Sequence, residues 1–233
     1  MKGGEARRDS VMRMTLIYFV SVSLTVSYVA SSMEGERPIR LPDAEFRGEM
    51  SIEESIKQRR SVRDFRRQSL TLNDVSQLLW AAQGITGGRG LRSAPSAGAL
   101  YPLELYLVAG NVDGLSPGVY RYRPGKHDMI LITSGDQRRP LATAALGQSW
   151  VRRAPAVLVI TGVYERTQRK YGERGRRYVH MEVGHAAQNV YLQATSLGLG
   201  TVMVGAFRDN DVQEALGLPA DHEPLGLMPV GHE

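Results

Sequence analysis

A chain of 233 residues, 42% of them hydrophobic and 23% charged, can bury one substantial core, which excludes a long disordered or collagen-like protein. The absence of cysteine excludes disulfide scaffolds, thiolate zinc sites, iron–sulfur clusters and cysteine nucleophiles, so any redox chemistry must come from a bound cofactor. A net charge of +5 suits an anionic partner, and the arginines are spread along the chain without interleaved aromatic residues, which favours a phosphorylated small molecule over nucleic acid.

Residues 1–33 have the layout of a signal peptide or N-terminal membrane anchor. Lys2, Arg7, Arg8 and Arg13 precede an uncharged run at 14–33 that closes on Ala30, Ser31 and Ser32. Serines and threonines dilute the run, which favours cleavage after Ser32 over retention; translation starting at Met33 is the alternative. The protein is expected to be exported, or attached to a membrane through 14–33, where this segment belongs to it, and cytoplasmic otherwise. Residues 34–50 read as a lead-in and 51–233 as a single domain.

Ser51-Ile52-Glu53-Glu54 is a capping box and predicts a helix over 51–60. Thr71-Leu72-Asn73-Asp74 repeats the device, with Val75, Leu78, Leu79 and Ala82 on one face and Gly84 as the stop. Runs of β-forming residues at 104–109, 118–122 and 129–132, separated by turn residues, predict an antiparallel meander. Residues 137–147 read as helix, and the apolar, β-branched run 156–163 as a strand buried in the middle of a sheet. The longest helix is expected over 178–197, followed by a strand at 201–204, a short helix at 210–216 and a strand near 225–230. Helices and strands do not alternate strictly, so the fold class is α+β, a mostly antiparallel sheet flanked by helices.

Two segments carry chemistry. Arg59, Arg60, Ser61 and Arg63 place three guanidiniums and a hydroxyl at the end of a helix, where arginine forks can match phosphate oxygens; a solvated basic loop is the alternative for such a cluster taken alone. The stretch 94–102 is built of small residues and two prolines, among them Pro95, Ser96 and Gly98. Its backbone can lie close to a planar ring, and its N–H groups and the Ser96 hydroxyl can reach ring heteroatoms. His180, Glu182 and His185 mimic a metal array, but two histidines five apart on a helix diverge by about 140°, so no metal is expected. Residues 84–90 hold neither a dinucleotide fingerprint nor a P-loop.

Taken in order, RRSVRDF, QLLWAAQG, APSAGALYPLELYLV, GVYRY, KYGERGRRYVHMEVGHAAQNVYLQA, GLGTVMVGAF and LMPVG resemble the nitroreductase superfamily over about 39–231, and more closely its branch of azoline oxidases, which act on thiazole- and oxazole-bearing peptides. The resemblance implies a nitroreductase-like homodimer with FMN at the subunit interface. Arg59, Arg60, Ser61 and Arg63 would hold the phosphate and ribityl end, Pro95, Ser96 and Gly98 would reach the ring from the partner subunit, and Gly205 and Ala206 would lie beside its reactive edge. Many nitroreductases add a late basic pair that has no match here, so the arginines near residue 60 must supply nearly all the countercharge. The implied activity is hydride transfer between NAD(P)H and a small acceptor such as a nitro compound or quinone. An azoline dehydrogenase acting on modified peptides is the alternative, as is a flavin-binding protein without turnover. For the azoline case the resemblance makes Lys170 a base and Tyr171 its partner, and a desolvated lysine beside an arginine-rich loop would have a lowered pKa; a charged surface excursion over 166–178 is the competing reading.

Overall fold

The computed structural model describes residues 38–233. Residues 1–33 and the first residues of the lead-in, with the expected signal or anchor, lie outside the described residues. Among the described residues no helix is long and apolar enough to cross a membrane.

In chain order the elements are β1 (Ile39–Arg40), α1 (Ile52–Gln58), α2 (Leu72–Gln83), a small hairpin β2 (Ile85–Gly87) and β3 (Leu91–Arg92), then β4 (Leu103–Ala109), β5 (Gly118–Arg123), β6 (Asp128–Ser134), α3 (Arg138–Ala144), α4 (Ser149–Arg153), β7 (Ala156–Gly162), α5 (Tyr164–Tyr171), α6 (Arg174–Ser196), β8 (Leu199–Thr201), α7 (Asp209–Leu216) and β9 (Glu223–His232). Seven strands form one sheet in the order β1-β6-β5-β4-β7-β9-β8. Every neighbouring pair in it is antiparallel.

Alternation along β4 and β7 sorts their side chains into two layers. Leu103, Leu105, Leu107, Leu158 and Ile160 pack against Val75, Leu78 and Leu79 of α2 and Val179, Val183 and Val190 of α6. Tyr106, Val108, Val157 and Val159 point the other way, toward Leu141 of α3, Val151 of α4 and Val212 and Leu216 of α7. Helices therefore cover both faces, and every residue of β7 is buried. A continuous apolar run more typical of parallel sheets is here required by an antiparallel one.

Helix α2 begins as its sequence dictates. The Thr71 hydroxyl accepts the Asp74 N–H, and the Asp74 carboxylate accepts the Thr71 N–H, closing the capping box. The expected helix over 137–147 is α3 and ends early, at Ala144, because Leu146 and Gly147 take left-handed backbone; the short α4 beyond it was not expected. The segment 166–177, to which the sequence reading assigned no helix, is helical except for a turn at 172–173: α5 ends at Tyr171, before Gly172 with its φ of +55°, and α6 starts at Arg174, four residues before the expected position. The strand expected at 201–204 is paired as β8 only through Thr201, after which Val204 makes a single bridge to Leu227.

Candidate functional site

The arginine segment leaves α1 and runs beside β8. Ser61 bridges Thr201, and the Val62 N–H donates to the Thr201 carbonyl at 2.9 Å. Tyr191 on α6 joins this segment to the chain beyond β8: its hydroxyl lies 3.2 Å from Ser61 Oγ and accepts the Met203 N–H at 2.7 Å. The Arg59 guanidinium sits 5.2 Å from the centre of the same ring. Gly205 and Ala206, both exposed, follow Met203, and Gln148 Nε2 fixes their turn by donating to the Ala206 carbonyl at 2.8 Å. Arg63 lies 5.7 Å from the Trp150 ring, whose Nε1 is buried without a hydrogen-bond partner. The sequence-expected Arg59, Ser61, Arg63, Gly205 and Ala206 thus share one rim, to which Tyr191, Trp150 and Gln148 are additions.

The three arginines are not equivalent. Among the described residues none has a carboxylate at ion-pair distance, while neighbouring Asp64 pairs with Arg153 at 3.5 Å. Arg60 turns back on the end of α1, where its Nη1 donates to the carbonyls of Lys57 and Arg59 at 2.9 and 2.8 Å. Arg59 and Arg63 keep their forks uncommitted.

The second group is the loop before β4. Its backbone enters the left-handed region at Gly98, Ala99 and Tyr101, with φ of +63°, +54° and +46°. A Cβ on Gly98 would lie 2.9 Å from both Lys170 Nζ and Tyr171 Oη, so those side-chain ends would have to move, and the positive φ itself favours glycine. Lys170, Tyr171 and Gly98 are therefore brought together at the end of α5. Lys170 is exposed, so the desolvation expected for it is not found among the described residues. Pro95 is exposed on the same loop. Ser96 turns inward: its Oγ accepts the Tyr101 N–H at 2.8 Å.

Buried Glu182 and the half-buried Asn189 and Arg166 support this loop. Glu182 Oε1 accepts the Ala97 N–H at 2.9 Å, and Asn189 Nδ2 donates to the carbonyls of Ala81 and Ser93 at 3.0 and 3.3 Å. Arg166 donates to the Tyr101 carbonyl at 3.1 Å and pairs with Glu104 at 2.6 Å. Burial pushes the Glu182 carboxyl above the usual range, opposed by its bonds to Ala97 and Ser96. Burial also holds the Arg92 guanidinium, 4.6 Å from the Tyr101 ring, below its ordinary value, with Glu104 opposing. The apparent metal array comes apart: His180 meets the Tyr164 hydroxyl at 2.5 Å, and Glu182 faces the loop. Among the described residues no group of three His, Asp or Glu could hold a metal ion.

The two groups sit on opposite sides of α6. Glu182 and Tyr191, nine positions apart, are separated by roughly half a turn around the axis and ~13 Å along it. No hydrogen bond or ion pair joins the arginine rim to the 95–98 loop among the described residues.

A model of the family described as "Nitroreductase family" matches residues 56–232. The chain belongs to the nitroreductase family. A nitroreductase-like protein of Methanocaldococcus jannaschii is 52% identical over 195 residues, which cover 84% of this chain and 96% of that protein. Among solved structures, a nitroreductase-like protein of Ralstonia eutropha superposes with a TM-score of 0.74 at 31% identity, over 84% of this chain and 90% of that one. The Escherichia coli microcin B17-processing protein McbC is 28% identical over 65% of this chain and 58% of its own length. The Vibrio harveyi NADPH-flavin oxidoreductase is 31% identical over 45% of this chain and 47% of its own length. This nitroreductase-family chain is accordingly an oxidoreductase by kinship, with relatives named both as a flavin oxidoreductase and for microcin B17 processing.

Proposed function

We propose that the protein is an FMN-dependent oxidoreductase that moves hydride between NAD(P)H and a small organic acceptor such as a nitro compound or quinone, working as a homodimer. The observation that carries this reading is the pair of uncommitted guanidiniums, Arg59 and Arg63, on the rim that also holds Ser61, Gly205 and Ala206. The residues fit FMN. A phosphate satisfies two cations that lack carboxylates, and the orphaned Trp150 Nε1 is a buried donor in want of an acceptor beside Arg63. Arg60 contributes charge more than direct contact, because its Nη1 is already bonded to backbone. When bound, the flavin supplies the hydride chemistry, and the protein supplies position and electrostatics.

The separation of rim and loop across α6 supports the two-subunit site. In that arrangement Pro95, Ser96 and Gly98 reach the ring bound by the neighbouring copy, and the small side chains permit close approach. The purified protein is expected to be yellow, with the visible absorption of an oxidised flavin, and to bleach when mixed anaerobically with NADH or NADPH. A colourless chain that does not take up added FMN rules the proposal out; a yellow one that never bleaches leaves only flavin binding.

The contact of Lys170 Nζ and Tyr171 Oη with the Gly98 position favours a second reading, peptide azoline dehydrogenation. There the substrate is the hydride donor, and Lys170 Nζ removes the accompanying proton with Tyr171 beside it. An azoline-bearing peptide would then bleach the flavin without NAD(P)H, and Lys170→Ala would abolish that bleaching while leaving reduction by NAD(P)H intact.

A further inference from the structure

We infer that Glu182 is a positioning residue: from the buried side of α6 its carboxylate fixes the 96–101 loop in the one arrangement that turns Gly98 and its neighbouring amides outward, toward a flavin. This rests on the reading of that loop as the ring-facing segment.

Glu182 is 3% exposed and shares its stripe of the helix with Val179, Val183 and Ala186. An apolar side chain would pack at such a position, and burying a carboxyl there is costly unless it is bonded. Its bonds all go to one place. Oε1 accepts the Ala97 N–H, and the Ser96 hydroxyl donates to the same carboxylate while its oxygen accepts the Tyr101 N–H. The carboxylate thereby holds Ala97 directly and reaches Tyr101 through Ser96.

The loop needs such a tie. Ala99 and Tyr101 hold left-handed backbone, which L side chains adopt only when the surroundings over-determine it. Asn189 and Arg166 secure the flanks, at Ser93 and Tyr101. Neither reaches Ala97, so the turn carrying Gly98 depends on Glu182. The direction of that turn decides whether Gly98 meets Lys170 Nζ and Tyr171 Oη.

The test uses the full-length protein loaded with FMN. Glu182→Ala is expected to retain FMN, held at its arginine end, but to lose the wild-type visible circular dichroism of the flavin and to shift its midpoint potential. Its kcat falls roughly 10- to 100-fold, with KM changed far less, the scale of a small misplacement at a reacting centre. Glu182→Gln keeps an oxygen for the Ala97 N–H, restores the dichroism and the potential, and brings kcat to within about threefold of wild type. A Glu182→Ala protein with wild-type dichroism and potential overturns the inference, as does a Gln variant as impaired as the Ala variant. Should Glu182→Ala fail to fold, Glu182→Leu fills the same buried position while removing the acceptor for the Ala97 N–H; an unchanged flavin signature there is equally fatal. A wild-type chain that takes up no FMN overturns the functional reading and this inference together, whereas normal flavin binding with unperturbed variants overturns this inference alone.

Discussion

Arg59 and Arg63 differ from Arg60 only in what their forks already touch, and that difference sets their expected contributions. A charge-assisted hydrogen bond contributes about 1.5–3 kcal/mol, so Arg59→Ala or Arg63→Ala should raise the Kd for FMN roughly 10- to 100-fold. Arg60→Ala should have a smaller effect, because Arg60 already bonds the carbonyls of Lys57 and Arg59. Titration by quenching of flavin fluorescence measures all three, and equal losses would contradict the ranking. A second expectation at this scale concerns His222, which is 5% exposed and whose Nδ1 lies 2.7 Å from the buried Tyr106 hydroxyl. Burial holds its imidazole below the ordinary value of 6.5, with Glu104 and Asp221 opposing. The fold therefore favours the neutral ring, while the unfolded chain takes up a proton below that pH. Stability should be complete above 6.5 and decline as the pH falls toward and through the lower folded value. Melting temperatures recorded down a pH series should show this slope, and His222→Gln should flatten it. Of the residues concerned, the arginines and Gly98 were legible in the sequence because their chemistry is local. Glu182, Tyr191 and Trp150 were not, because their partners lie far off in the chain; the one available signal was a carboxylate on the apolar stripe of a helix.

Among the elements, β8 carries a burden beyond its three residues, since it is the template for the arginine segment. A Cβ on Gly200 would come within 2.6 Å of Val62 Cγ1, and also meets Val62 Cβ, so the 61–63 backbone would have to shift. Gly200→Val should therefore weaken FMN binding at least tenfold, on the scale of one lost charge-assisted bond. Far-UV circular dichroism should change little; retained affinity would mean that the segment does not depend on β8. The strands β4 and β7 and the helix α2 were legible, because periodicity and a capping box dictate them. Helix α5 was not: only Tyr164 and Thr167 of it are buried, and its remaining stretch is charged, so the pattern resembles a surface loop. The four-residue error at the start of α6 has the same origin, in the charged run Arg174 to Arg177 that precedes its first buried valine.

For the molecule as a whole, the exposed side of α6 presents Met181, 53% exposed, with Gly184, His185 and Gln188. Gly184 leaves open space where a Cβ would stand, so another backbone can approach closely. If the flavin site is shared between copies, assembly and cofactor binding must fail together. Met181→Asp should give a monomer by sedimentation equilibrium and lose FMN in parallel; a monomer that stays yellow would show that one chain suffices. At its β8 end the sheet offers little competing route to association. Its outer strands are two and three residues long, and the free side of β8 is taken by Ser61. Strand addition, the usual path to aggregates and fibrils, therefore has little template along β8. Because the residue that closes this edge also belongs to the proposed phosphate site, losing the ligand should loosen the closure, and the apo form should be the more prone to precipitate on storage.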